Sequence, residues 1–284
     1  MDQAGDFSAR IDSVLDAGGI RAVTRAVEPG HAGMPRDASL MEHARMIVCL
    51  DGTACFQLQR TGAPAEVMLQ PRDGLFVAPG RWVRAQPRQP YVSMGVVFYP
   101  AMTRFYLMRG RPARAGDPVE TCVVPGGLAG DEHALARLLA GIPPAQAADR
   151  FFRNAFECLL ISARGVLSLP PPEQTAGKAR FTWQAAGDFI ADNLQRPLSR
   201  KDVARHLRVH PNHLSRLFGE FSREPFSTYL QNRRLERARL LLEDPRLNIA
   251  EVARLCGFSS ANYFIRVFHQ RTGRTPTWVR LAGK

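Results

Sequence analysis

The sequence predicts an α+β chain of two domains: a β-rich N-terminal domain built as a small barrel, with helices, and an all-α C-terminal domain of two helix-turn-helix units joined by a long helix. Three observations predict it. Short β-type runs separated by regular turn signals fill the chain up to about Pro100. A proline-rich stretch interrupts it near residue 170. Beyond that stretch the apolar spacing becomes helical and repeats itself. A length of 284 residues suits two domains, each with its own core.

The β-type runs are 20–27 (IRAVTRAV), 44–50 (ARMIVCL), 54–60 (ACFQLQR), 65–70 (AEVMLQ), 75–79 (LFVAP) and 91–99 (YVSMGVVFY). Turn signals stand at Asp51-Gly52, Thr61-Gly62 and Asp73-Gly74. Turns at this spacing point to a small barrel or sandwich. Two helical stretches follow, roughly Asp131 to Ala140 and Gln146 to Ser168. The second carries Phe151, Phe152, Ala155, Phe156, Leu159, Leu160 and Ala163 at helical spacing. A stripe so wide either closes the barrel or pairs with a second subunit, and both readings stay open at this point.

Residues 168–179 (SLPPPEQTAGKA) combine three consecutive prolines with small and polar residues and read as an extended connector. The expected division is a first domain over 1–168, a linker over 169–179 and a second domain over 180–284.

Within the second domain, Val203-Ala204-Arg205 matches Val252-Ala253-Arg254, and 214–218 (LSRLF) matches 264–268 (FIRVF). The second copy is one residue longer between these matches, so the length change falls in the turn and each copy reads helix, turn, helix, at about 199–221 and 248–272. In the second helix of the first copy, Leu214, Leu217, Phe218 and Phe221 face a core, leaving Asn212, Ser215, Arg216 and Gly219 outside. In the second copy Ala261, Phe264, Val267 and Phe268 face inward and Asn262, Ile265, Arg266 and His269 outward, each fifty residues after its counterpart. Between the copies, Pro225 to Asp244 reads as one helix whose two stripes, Phe226, Tyr229, Leu230 and Leu235, Ala238, Leu242, let it dock on both units.

Charge gives the outer faces a partner. The chain holds 38 basic and 26 acidic residues, and Arg180 to Lys284 alone holds 19 basic against 9 acidic. A positive field confined to one end attracts a polyanion. Asn can bond adenine through two contacts, Arg can fork onto guanine, and Ser or Ile can meet a base edge or a thymine methyl. Asn and Arg on an ordinary amphipathic helix merely solvate its outer face; the duplication and the charge favour the nucleic-acid reading here.

Other function classes find little support. No apolar run approaches the roughly 18 residues of a spanning helix, and Met1 to Ala17 lacks the layout of a signal peptide, so a cytoplasmic protein without a membrane partner is expected. Cys49, Cys55, Cys122, Cys158 and Cys256 form no C-x-x-C pair and read as reduced core residues. His206, His210 and His213 have a spacing that could gather around zinc, but imidazoles also serve as turn and phosphate-contacting groups, and no metal is expected. No H-E-x-x-H, G-x-S-x-G or G-x-x-x-x-G-K-[ST] run is present, so neither catalysis nor a cofactor is expected.

Residues 233–244 (RRLERARLLLED) and 249–280 (IAEVARLCGFSSANYFIRVFHQRTGRTPTWVR) resemble the signature segment of the AraC/XylS-type transcription regulators, and the resemblance extends over roughly Phe181 to Leu281. It implies a regulator, usually an activator, that binds promoter DNA as a homodimer, answers a small-molecule effector and recruits RNA polymerase. It makes Asn212, Ser215 and Arg216 the base-facing group of the first unit, and Asn262, Ile265 and Arg266 that of the second. Two positions depart from the family pattern. Arg208 stands where a small turn residue is usual, and Arg223 stands where Gly273 serves in the second copy. A left-handed turn at Arg223 would cost about 1 kcal/mol, so the first unit either turns differently or is strained, and both arginines suit a phosphate grip.

The N-terminal half is similar, more loosely, to the cupin-like sensor barrels of that family, through 69–74 (LQPRDG) and 77–80 (VAPG). Metal-binding cupins place histidines there, whereas Trp82 follows here and no His-x-His pair is present. An organic-ligand pocket fits better. Arg45, Trp82, Tyr91 and Phe98 are its candidate lining, against the plainer reading that they pack the sheets. Two rivals are a cupin-type enzyme with a DNA-binding tail and an architectural DNA binder whose barrel only dimerises. An alkyl-transfer repair domain is disfavoured because Cys49, Cys55, Cys122 and Cys158 do not cluster in the sequence.

Overall fold

The computed structural model describes residues 3–27, 34–35, 38–41, 43–60, 63–99, 102–112, 118–125, 130–142, 149–168, 175–207 and 209–282. These fall into two compact units, one holding every described residue up to Ser168 and the other every described residue from Thr175.

The first unit opens with a helix that the sequence reading leaves unassigned, α1 (Gln3–Asp16), whose Phe7, Ile11 and Val14 are buried. Strands β1 (Val23–Ala26), β2 (Ser39–Met41), β3 (Arg45–Gly52), β4 (Ala54–Leu58), β5 (Ala65–Leu69), β6 (Gly74–Val77), β7 (Arg81–Ala85), β8 (Tyr91–Tyr99), β9 (Met102–Gly110) and β10 (Pro118–Pro125) follow, then helices α2 (Gly130–Gly141) and α3 (Asp149–Val166). They form a six-stranded sheet in the order β1-β6-β3-β8-β9-β10 and a four-stranded sheet in the order β2-β7-β4-β5.

The expected closed barrel is therefore corrected to two sheets: among the described residues the large sheet ends at β1 and β10, and neither pairs with the small sheet. Turn spacing counts strands but does not report which edges bond. Asp51-Gly52 illustrates the point. It closes no hairpin, because β3 pairs with β6 and β8 while β4 pairs with β5 and β7. The dipeptide is a corner where the chain leaves one sheet for the other, with Gly52 at φ 70° and an added Cβ only 2.3 Å from the Pro90 carbonyl oxygen. The Thr61-Gly62 turn lies outside the described residues.

One face of the large sheet packs on the helices, through Met46, Val48, Met94, Val96, Phe105 and Leu107 against Phe7, Ile11, Phe152, Phe156, Leu159 and Leu160. The other face, with Ile47, Cys49, Leu75 and Tyr91, packs on Phe56, Leu58, Leu69 and Val83 of the small sheet. The broad stripe of α3 thus covers a sheet face, while Phe151 and Ile161 stay half exposed. Arg164 fixes α3 to α1 by two bonds to Asp12, at 2.9 and 3.0 Å.

The second unit is helical among its described residues: α4 (Thr175–Asp192), α5 (Arg200–His206), α6 (Pro211–Leu217), a π-helical turn at Phe218–Ser222, α7 (Phe226–Leu242), α8 (Ile249–Leu255), α9 (Ala261–Thr272) and α10 (Pro276–Ala282). Helix α4 begins inside the segment expected to be extended, so the connector's last five positions, 175–179, are helical rather than extended. The three prolines end at Pro172, and the residues after them carry no further helix breaker except Gly177. Among the described residues no helix is long and apolar enough to cross a membrane.

Candidate nucleic-acid interface

Each helix pair of the second unit starts from a reciprocal cap. Ser199 accepts from the Asp202 amide while the Asp202 carboxylate accepts from the Ser199 amide and hydroxyl. Asn248 and Glu251 do the same at the start of α8. Such caps satisfy donors that a helix start leaves open and stabilise it by about 1 kcal/mol. The Ser199 hydrogen bonds hold the Asp202 carboxyl below the usual carboxylate range.

The second helices begin differently. In the first copy the His210 ring nitrogen Nδ1 accepts from the Asn212 amide at 3.2 Å, and Pro211 takes the first helical position. In the second, the Ser260 hydroxyl accepts from the Tyr263 amide at 3.2 Å. The apolar faces then anchor each helix, with Leu214, Leu217 and Phe218 fully buried on one and Phe264, Val267 and Phe268 buried on the other. Phe221, expected inside, is half-buried and stacks on Trp183 at 5.5 Å, because the π turn adds a residue before it and swings it off the α6 stripe. Ala261 is likewise only partly buried.

Helix α7 serves both units. Phe218 meets Phe226 and Tyr229 edge-on at 5.5 and 4.9 Å, and Leu230 joins the first core. Further along, Leu235, Ala238, Leu241 and Leu242 are buried. Two arginines fasten α7 to the end of α4. Arg237, 4% exposed, donates to the Ala191 carbonyl at 2.8 Å and to Gln195 Oε1 at 3.2 Å. Arg234 donates to the carbonyls of Leu194 and Arg196, and its burial pulls its pKa down. The turn of the second unit closes on the same corner: Gly257 has φ 77°, and a Cβ there would lie 2.0 Å from the Leu194 carbonyl oxygen. Its counterpart in the repeat, Arg208, lies outside the described residues.

The outward positions named from the sequence divide by copy. Asn262 and Arg266 are exposed on α9, Ile265 is 36% exposed, and the Arg266 guanidinium lies over the Tyr263 ring at 5.4 Å. Asn212 and Arg216 are exposed on α6, with Arg216 Nη2 3.3 Å from His213 Nδ1. Ser215 is half-buried and already engaged: its hydroxyl accepts from Arg200 and donates to the Pro211 carbonyl at 3.2 Å. Sequence reasoning missed Arg200 and Tyr263. A comparison of the two copies could have flagged Arg200, since α5 starts on Arg200-Lys201 where α8 starts on Ile249-Ala250. The three histidines do separate work: the His206 ring stacks on Phe189 at 3.9 Å, His210 caps α6 and His213 faces Arg216.

In the first unit the four effector candidates do not converge. Phe98 lies in the helix-side core and Tyr91 in the core between the sheets. Trp82 is fully buried and donates to Gln59 at 3.2 Å. The Arg45 guanidinium sits 5.2 Å from the Tyr106 ring centre, and Arg104 5.9 Å from the same ring. Tyr106 lies across Gly95 and Tyr91 across Gly110, where an added Cβ would fall 1.9 Å from each ring. The Tyr91 hydroxyl is buried without a hydrogen-bond partner, and burial pushes its pKa up to about 12. Arg104 and Tyr106 were missed because β9 was.

Residues 203–282 match the family described as Helix-turn-helix domain. The chain is 28% identical over 188 residues to the uncharacterized HTH-type transcriptional regulator YpdC of Escherichia coli, a match spanning 66% of each chain. It is 33% identical over 129 residues to the arabinose operon regulatory protein of Salmonella typhimurium, spanning 45% of this chain and 44% of that one. A solved AraC-type DNA-binding domain-containing transcriptional regulator from Chromobacterium violaceum is 30% identical, with 38% of this chain and 96% of that chain covered and a TM-score of 0.36.

Proposed function

Because this chain belongs to the AraC/XylS-type family of DNA-binding transcription regulators, we propose that it recognises a specific promoter site by laying α6 and α9 into successive major grooves of one duplex face. The observation that carries this reading is the doubled pair Asn212/Arg216 and Asn262/Arg266, exposed on two helices whose opposite faces are buried, fifty residues apart. In this reading Arg266 forks onto guanine, Asn262 bonds adenine and Ile265 meets a thymine methyl, with Asn212 and Arg216 doing the same in the neighbouring groove. Ser215 serves less directly, since Arg200 holds its hydroxyl.

The sheet-rich unit acts, on this proposal, as a cupin-like sensor and dimerisation domain for a small organic effector. Arg45 and Tyr91 remain candidates for the effector, now with Arg104 and Tyr106, because the register puts these on the same sheet face as Ile47, which together with Tyr91 packs toward the small sheet; Phe98 and Trp82 are packing residues. The half-exposed Phe151 and Ile161 on α3 suit a homodimer contact. The regulator works in the cytoplasm as an activator that recruits RNA polymerase and catalyses nothing.

Selection of bound duplexes from a random pool by the full chain, sequenced at two salt concentrations, tests the central claim. A two-part motif with its halves about 34 Å apart is the expected product. Enrichment of one half alone removes the two-groove reading, and no enrichment at either salt removes sequence-specific recognition.

A further inference from the structure

Beside α6 lies a groove of about 610 Å³ lined by Arg200, Ser215, Arg223, Glu224, Phe226 and Ser227. Both arginines stand where local preference is against them. Arg223 adopts a left-handed backbone at φ 56° and ψ 23°, the conformation that Gly273 takes at φ 72° in the second copy. A Cβ crowds the backbone in that region, which is why glycine is the ordinary occupant. Arg200 occupies the first position of α5, where the helix dipole repels a cation; α8 has Ile249 at its first position. Two departures meeting at one concave surface mark a place where the side chains are kept for what they bind.

The chemistry of the lining fits an anion. Glu224, the acid in it, is turned to Asn232 at 2.8 Å. Arg200 reaches the groove beside Ser215, so the groove borders the outward face of α6. The first turn of α7 opens there too, behind Pro225, with no side chain capping it. A helix lying in a major groove is flanked by backbone phosphates, so a groove bordering the outward face of α6 would face that backbone in the complex proposed above.

We infer that Arg200 and Arg223 form a clamp for a DNA backbone phosphate, so that the first helix-turn-helix unit fixes register by gripping the strand while its strained turn is retained for that contact. The inference rests on the DNA-binding reading above. It predicts opposite movements of stability and affinity on one substitution. Arg223→Gly in the full chain relieves the left-handed strain and raises the thermal midpoint by about 2–4 °C. The same change weakens binding about three- to tenfold, by one factor on selected and on random duplex, and makes the plot of log affinity against log salt shallower by about 0.9. Arg223→Lys keeps the charge and holds the salt slope; Arg223→Asn tolerates the turn but loses the slope. Arg200→Ala should lower the slope similarly.

If the wild-type chain binds DNA and Arg223→Gly leaves affinity and slope unchanged, the clamp is wrong while the DNA-binding reading stands. If the loss is confined to the selected sequence, Arg223 reads bases and the clamp is equally wrong. A wild-type chain that binds no duplex at any salt removes both.

Discussion

The two helix-turn-helix units share a plan and differ in the residues that start, turn and end it. Both start from a reciprocal cap, bury two or three apolar side chains on the second helix, and end on a left-handed residue. The second does so with residues suited to each place: Ile249 at the helix start, Gly257 in the turn, Gly273 at the end, and a regular twelve-residue helix between. The first puts Arg200 and Arg223 at the stations of Ile249 and Gly273, begins its second helix on Pro211 where the other begins on Ala261, and passes through a π turn. The two units thus share a frame, and under the proposals above both read bases while the first adds a grip on the strand.

The largest expected effect asks whether they are separate bodies at all. Phe218 and Phe268 are each 0% exposed in their respective units, and truncating either to alanine should cost about 3–5 kcal/mol. Because α7 runs between both cores and Arg234 and Arg237 bind it to the end of α4, both variants should lower one shared transition of the helical domain. Urea unfolding followed by helical signal checks this. A Phe268→Ala chain that keeps a separate, unshifted transition for the first unit would show the units folding independently.

How much of this was legible in sequence follows from which physical signals are local. The helical domain was readable because Leu214, Leu217 and Phe218, and their counterparts fifty residues on, repeat a periodic burial pattern that lies within one helix. The sheet domain was readable in β1, β3, β4, β5, β6 and β8 but not in β2, β7, β9 and β10, and not as an arrangement, because pairing is set across the chain: β1 lies parallel to β6, and β3 sits between β6 and β8. Helix α1 was missed although Phe7, Ile11 and Val14 have helical spacing, since only three apolar anchors stand in a polar stretch. On the outer helix faces, the outward positions of Asn262 and Arg266 were readable, but not the bond from Arg200 to Ser215, which joins two helices through a turn. The effector candidates dispersed for the related reason that Tyr91 and Phe98, on one strand, point to opposite faces.

A smaller effect sharpens the division of labour. Arg266→Ala should cost about 1–3 kcal/mol on the selected site, relax the base preference there, and change binding to random duplex little. Arg216→Ala, tested alongside it, should cost less on the selected site, because the neighbouring contact is supplied by the Arg200 and Ser215 pair rather than by an open side chain like Ile265. Titration of both variants against selected and random duplexes decides it. Equal losses with equal loss of preference would make the two units equivalent readers.

The smallest effect concerns the caps, where the units are most alike. Ser199→Ala and Asn248→Ala should each destabilise the helical domain by about 1 kcal/mol, visible as a lower urea midpoint. They should separate on acidification. Asp202 has its folded pKa below the unfolded value, mainly through the Ser199 hydroxyl and amide. A carboxylate depressed in this way lends stability that is present above its unfolded pKa and lost as pH falls through the folded one. Wild-type protein should therefore lose part of its advantage over Ser199→Ala as pH is lowered below the ordinary carboxylate range, because the variant has already surrendered the hydroxyl that depresses Asp202. A gap between the two that stays constant to low pH would place the cap's contribution in the Ser199 hydroxyl's bond to the Asp202 amide alone, with the carboxylate a bystander.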